Sequence, residues 1–369
     1  MGGMRAPVRL SSDGTRGPHP RPAPHPSFRS LRPLQRSPMT APAPAPPSAA
    51  PHVVFGAAGG AGGALVRHLA GTGVPVRAVS RGAVPPAWLA TLPSGAAALV
   101  THVRADARDA AAARAASAGA AVVYHCANVP YVRWVDELPG LLDAILGAAT
   151  DVGAALVYCD NLYAYGPVSG PLHEGLPQAA SGPKGALRAR LADRVLAAHA
   201  RGTVRATIGR ASDFYGPGAG NTAAEQLVVG PLLAGARPRW LGTLDAPHTL
   251  AFVDDVARGL AHLGTDARAR GAAWHIPAAE PLTGRALLAL AGRVIGGTAV
   301  TRALHPEVIG RTKLRLGALR DANLRELLET LHQFEDPWVV DASRWTRELG
   351  PFAVTPHEAA MRTTIQGRV

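Results

Sequence analysis

Residues 52–69 read HVVFGAAGGAGGALVRHL: a histidine and three apolar residues, a glycine-rich turn, and an amphipathic run of helical period. Gly56, Gly59 and Gly62 give the spacing G-x-x-G-x-x-G between the strand and the helix. A turn of that kind brings the backbone close to a pyrophosphate and points the positive end of the next helix at it. Extra glycines at Gly60 and Gly63 raise the chance of a fortuitous match, so the weight rests on placement, strand before and helix after.

Working outward, short strand-like runs alternate with Ala/Leu-rich helical stretches. PVRAVSR, ALVTHVRAD, AVVYHCAN, AALVYCD and TVRATIGRAS are separated by segments such as ARDAAAARAASAG, ELPGLLDAILGAATDVG and ALRARLADRVLAAHARG. That alternation predicts an α/β fold, a Rossmann-type doubly wound parallel sheet. After Tyr215 the pattern loosens, with helices expected near 284–296 and 318–333, which places a smaller substrate-binding lobe at the C-terminus. The expected division is a Pro/Arg-rich tail over 1–50, a nucleotide-binding domain over 51–210, and a lobe over 211–369 from which about 248–264 returns to the first domain.

Composition narrows the function. The 369 residues carry a formal charge of +12, with 47% hydrophobic and 5% aromatic residues. Residues 1–50 hold seven arginines against Asp13, a balance of +6, and 12 of the 33 prolines. Such a segment has too little apolar surface to offset its ordering entropy and is expected to be disordered. An Arg-rich, acid-poor start also resembles a transit peptide, and the alternative is a true start at Met39. The remaining charge is spread thinly, with no basic stripe or interleaved aromatics, so no nucleic-acid partner is expected. No apolar run reaches the length of a membrane span. Cys126 and Cys159 both sit in apolar stretches and read as free thiols of a reducing, cytoplasmic compartment. Histidines lack metal-ligand spacing, so no metal is expected, and without G-x-S-x-G an acyl-transfer hydrolase is disfavoured.

The second strand ends in Ser80 and Arg81, and no acid occurs between Gly71 and Arg104. A ribose 2′-hydroxyl calls for a carboxylate here, whereas a 2′-phosphate calls for a guanidinium and a hydroxyl. NADP is therefore the expected cofactor, with NAD possible.

Together with the glycine loop, Asp106 in RADARD, YHCAN after the fourth strand, RASDFYGPG (210–218), FVDDVARGL (252–260) and VDASRWTRELGPFAVTPHEAA (340–360) carry a resemblance. In this order they are similar to the motifs of the extended short-chain dehydrogenase/reductases, the NAD(P)-dependent epimerase/dehydratase family, over about 52–365. The resemblance implies that Asp106 bonds the adenine amino group with Ala107 beside it, and that Cys126, Ala127 and Asn128 line the ribose and nicotinamide. It also implies a Ser/Thr at the end of the fifth strand and a Tyr-x-x-x-Lys on the next helix. Here Asn161 stands for the Ser/Thr, and AASGPKGALRARLADRVL (179–196) contains no tyrosine. Tyr163 and Tyr165 follow Asn161; Tyr163 is the candidate proton donor, Tyr165 and Tyr131 are expected to pack, and Lys184 is the candidate ribose or phosphate contact. His248 stands where nucleotide-sugar relatives often place a diphosphate-binding arginine, which disfavours a nucleotide sugar.

The expected function is an NADP(H)-dependent oxidoreductase acting on a carbonyl or hydroxyl of a small organic metabolite, as a monomer or homodimer. The alternatives are an NAD(P)-dependent epimerase or dehydratase, and a catalytically silent cofactor-binding regulator or scaffold.

Overall fold

A computed structural model describes residues 50–83 and 86–367, within a unit spanning Pro47–Val369. The expectations for the tail and for Met39 fall outside the described residues.

Seven parallel strands form the central sheet: β1 His52–Phe55, β2 Val76–Ser80, β3 Val100–Arg104, β4 Val122–His125, β5 Ala155–Asp160, β6 Arg205–Arg210 and β7 Ala273–His275. Their order is β7-β6-β5-β4-β1-β2-β3. The chain winds outward from β1 in one direction and then from β4 in the other. That reversal opens a crevice beyond the carboxyl ends of β1 and β4.

Strands β1, β4 and β5 bury both faces, which explains their unbroken apolar runs. Val53, Phe55, Val123 and Leu156 point one way, against Leu142 and Ile145 of α3 (Trp134–Asp151) and Leu191 and Val195 of α4 (Pro183–Ala200). On the other face Val54, Tyr124 and Val157 meet Leu65 and Leu69 of α1 (Gly60–Gly71) and Val256 and Leu260 of α5 (Val253–Thr265). Helix α2 (Ala110–Ser117) starts where it does because the Asp109 carboxylate accepts from the Ala111 and Ala112 amides at 2.9 and 3.2 Å.

The C-terminal half builds a core of its own around Tyr215, Trp240, Leu287, Leu288 and Met361. Gly284–Ile295 forms the helix expected there. The helix expected over 318–333 is instead interrupted: α6 spans Ala322–Thr330, and a short turn follows at His332–Glu335. Strand β7 was not foreseen, because three residues are too few to show alternation. Its hydrogen bonding to β6 is tertiary.

Candidate active site

The glycine loop follows β1 directly, and each of its three glycines meets a different demand. Gly56 has φ +84°, and a Cβ there would lie 2.5 Å from the Cys126 carbonyl oxygen. A Cβ on Gly62 would lie 2.3 Å from the Gly56 carbonyl oxygen, so the helix approaches its own loop closely only because residue 62 has no side chain. Gly59 has no such constraint: the nearest protein atom would be 3.4 Å away. It lines the cleft and leaves room for something other than protein. No side chain caps α1 and no acid lies in its first turn, so the positive end of the helix, which starts right after the cleft-lining Gly59, has no side-chain partner. These features fit a dinucleotide pyrophosphate.

The cleft has a volume of about 1100 Å³. That exceeds the roughly 300–1,000 Å³ usual for one small ligand and suits a cofactor with a second molecule beside it. Ser80, Arg81, Asp106, Ala107, Ala127 and Asn128 all line it with Gly56 and Gly59, while Gly62 lies behind the loop. Ser80 Oγ is hydrogen-bonded to His102 Nε2 at 2.8 Å. Arg108, which the sequence reading passed over, also lines the cleft and clasps Asp106 with its Nε and a terminal nitrogen, the latter at 2.7 Å. Those hydrogen bonds hold the Asp106 carboxyl down to about 2. The i, i+2 pair of RADARD was the available signal.

Across the cleft, β5 ends in Asp160, whose carboxylate is fully buried between two guanidinium groups. Arg210 Nε donates at 3.1 Å and an Arg188 terminal nitrogen at 3.4 Å. Arg188 also donates to the Tyr158 hydroxyl at 2.9 Å and lies 4.1 Å from the Trp134 ring centre. Asn161 Oδ1 accepts from the Tyr163 amide at 3.1 Å, which holds the turn and leaves the amide NH₂ for another partner. Asn161 and Tyr163 both line the cleft. Burial pushes the Tyr163 phenol well up, with the Asp213 carboxylate adding to the effect.

Tyr165 packs away from the cleft: it is buried, and its hydroxyl bonds His275 Nε2 at 2.7 Å. Tyr131 lines the cleft and packs edge-on against Trp134, with ring centres 4.8 Å apart. Lys184 does not line the cleft. Its buried ammonium forms an ion pair with Glu326 of α6 and sits 4.5 Å from the Tyr131 ring centre. The Lys184 and Gly185 amides donate to Glu329 at 2.8 and 2.9 Å, so α6 caps the start of α4. The lysine thus holds two helices together, away from the position the sequence reading gave it. His248 is buried too, its Nδ1 at 2.9 Å from the Gln333 carbonyl and its ring stacked on Phe334. Cys126 and Cys159 are free thiols, and the neighbouring Cys159 thiol, with burial, pushes the Cys126 thiol up. Among the described residues no group of three or more His, Cys, Asp or Glu gathers as metal ligands, and no helix is long and apolar enough to cross a membrane.

No curated protein matches the sequence. Solved structures do share the fold. A dTDP-glucose 4,6-dehydratase of Streptomyces venezuelae, DesIV, solved with NAD and TYD bound, is 20% identical with a TM-score of 0.67, covering 86% of this chain and 96% of its own. A UDP-glucuronic acid 4-epimerase of Bacillus cereus, solved with NAD, is 17% identical with a TM-score of 0.67 over the same shares of the two chains. Pal from Bacillus thuringiensis is 13% identical with a TM-score of 0.69, covering 86% of this chain and 98% of its own. The sequence itself matches the profile of the NAD dependent epimerase/dehydratase family over residues 52–276, and the chain belongs to that family.

Proposed function

We propose that the protein is a cytoplasmic NADP(H)-dependent oxidoreductase acting on a carbonyl or hydroxyl of a small organic metabolite. The observation that carries the reading is the continuity of one cleft from the uncapped start of α1 to the Asn161–Tyr163 turn. In this reading residues 51–210 and about 248–264 hold the cofactor, and the rest of 211–369 closes over the substrate, in a monomer or homodimer. A bound nicotinamide supplies or accepts the hydride. Gly56, Gly59 and the first turn of α1 hold the pyrophosphate, Ala127 and Asn128 border the ribose, and Asp106 borders the adenine.

Arg81 and Arg108 supply two guanidinium groups at the adenosine end, a setting suited to a 2′-phosphate. At the other end Asn161 offers its NH₂ to the substrate oxygen. Tyr163, kept protonated by burial, donates a proton to the oxygen that gains charge. A phenol held this way favours reduction of a carbonyl over abstraction of a proton from an alcohol. Lys184 has no part in this arrangement.

A second reading, an epimerase or dehydratase that keeps its cofactor bound through a cycle, is favoured by the names of the neighbours solved with NAD. The test is NADPH consumption against a panel of aldehydes and ketones, after the purified protein has been checked for bound nicotinamide by absorbance. Tyr163→Phe should cut turnover by about 10²–10⁴ with cofactor affinity unchanged. Full activity in that variant removes Tyr163 from the chemistry. Tight NADP(H) binding with no turnover on any carbonyl favours a regulator.

A further inference from the structure

The basic residues lining the cleft are segregated. Arg81 borders the adenosine end with Arg108, which is paired with Asp106 and Glu137, and among the described residues no lysine or arginine lines the substrate half. That half is walled by Tyr131, Trp134, Tyr163, Leu227, Leu327 and Phe334, with neutral polar groups and two carboxylates, Asp160 and Asp213. Asp160 is committed to Arg188 and Arg210. The Asp213 side chain is 27% exposed and its Oδ2 lies 3.2 Å from His248 Nε2.

The state of that pair follows from its hydrogen bonding. A backbone carbonyl only accepts, so His248 Nδ1, 2.9 Å from the Gln333 oxygen, carries a hydrogen. Nε2 then faces the carboxylate either with a second proton, making a pair of zero net charge, or as a bare lone pair, leaving a net charge of −1. In neither state is the pair positive. Lys184, the ammonium beside Tyr131, is already matched by Glu326. A phosphate in this half would therefore be desolvated with no cation among the described residues to receive it, and a carboxylate oxygen would face it.

We propose that Asp213, which lies beside the buried His248 ring, determines specificity in the substrate half: it accepts a hydrogen bond from a hydroxyl or ammonium group on a largely apolar substrate that carries no phosphate. The proposal rests on the reading that the cofactor fills the glycine-loop half. By this argument nucleotide sugars, the ligands in the names of several neighbours, are turned away.

Four probes test it by titration calorimetry, each with and without saturating NADPH: 2-phenylethanol, phenethylamine, phenyl phosphate and UDP-glucose. The NADPH titration comes first and judges the cofactor reading alone, since probe binding is measured without turnover. The wild type should bind the alcohol or the amine and neither phosphate compound; a tighter amine identifies an ammonium group, and equal or weaker binding identifies a hydroxyl. Asp213→Asn, nearly isosteric, should weaken the favoured probe by roughly ten- to a hundredfold, the worth of one hydrogen bond to a charged group. Asp213→Glu should recover part of that loss, which separates a lost carboxylate from a damaged fold. Phenyl phosphate or UDP-glucose binding the wild type more tightly than the uncharged probe overturns the proposal. So does wild type that takes neither alcohol nor amine, or an Asp213→Asn variant that binds the favoured probe as tightly as the wild type.

Discussion

The two halves of the cleft are made of different material. The half around Gly56, Gly59 and α1 is made of backbone: a left-handed glycine, a helix that presses on its own loop, and amides with no side-chain cap. The half around Asn161 and Tyr163 is made of side chains brought from α3, the turn after β5, the segment after β6 and α6. Backbone geometry needs only a few glycines and survives wide divergence in sequence. A pocket made of side chains changes character with each substitution. A chain about one-fifth identical to its structural neighbours thus still shares their fold.

The largest expected effect tests whether the side-chain half depends on its buried ion cluster. Asp160→Ala strands two guanidinium groups that are almost wholly buried, and removing one partner of a buried pair costs about 3–5 kcal/mol. Urea unfolding should show that loss. A change below about 1 kcal/mol would mean that Tyr158 and Gln178, which also accept from Arg188 and Arg210, are sufficient partners.

A smaller effect sharpens the electrostatic contrast between the halves. Arg81→Asp should weaken NADP(H) by about one to two decades, and NAD(H) by much less, because a charge-assisted hydrogen bond is worth roughly 1.5–3 kcal/mol. Equal weakening of both cofactors in calorimetry would take Arg81 out of the site.

The smallest effect per step concerns the sheet beneath both halves. Burial lowers His125 to about 3 and His275 to about 4, so both are neutral in the folded protein. Their ordinary value is 6.5, so below that pH the unfolded chain takes up protons that the folded chain refuses. Stability is therefore full above pH 6.5 and falls as pH drops toward 4, by about 1.4 kcal/mol per pH unit for each histidine. His52, His68, His332 and His357 are lowered by burial as well and add to the slope. Stability from denaturant unfolding between pH 7.5 and 4.5 should therefore fall at least that steeply, and His275→Gln should lessen the slope by at most about 1.4 kcal/mol per pH unit. An unchanged slope in the variant would mean that other groups govern acid stability.

The amino-acid order determined what depends on neighbours along the chain. Strands β1, β4 and β5 show as apolar runs because they are buried on both faces, and the glycine loop shows because its demands fall on three residues within one turn. Asn161 and Tyr163 were singled out by the family resemblance at the end of β5, and both line the cleft. The tertiary structure alone decided where charges meet. Lys184 reads as a cofactor contact when only the family resemblance is known, yet Glu326, 142 residues later, claims its ammonium. Arg188 and Arg210 read as ordinary helix and strand arginines until the fold closes both on Asp160. Asp213 and His248 belong to separate motifs until the chain brings them to 3.2 Å. Periodicity and turn chemistry are local and can be read in order. The energy of a charge is set by whatever burial and partners the finished fold places around it, at any separation along the chain.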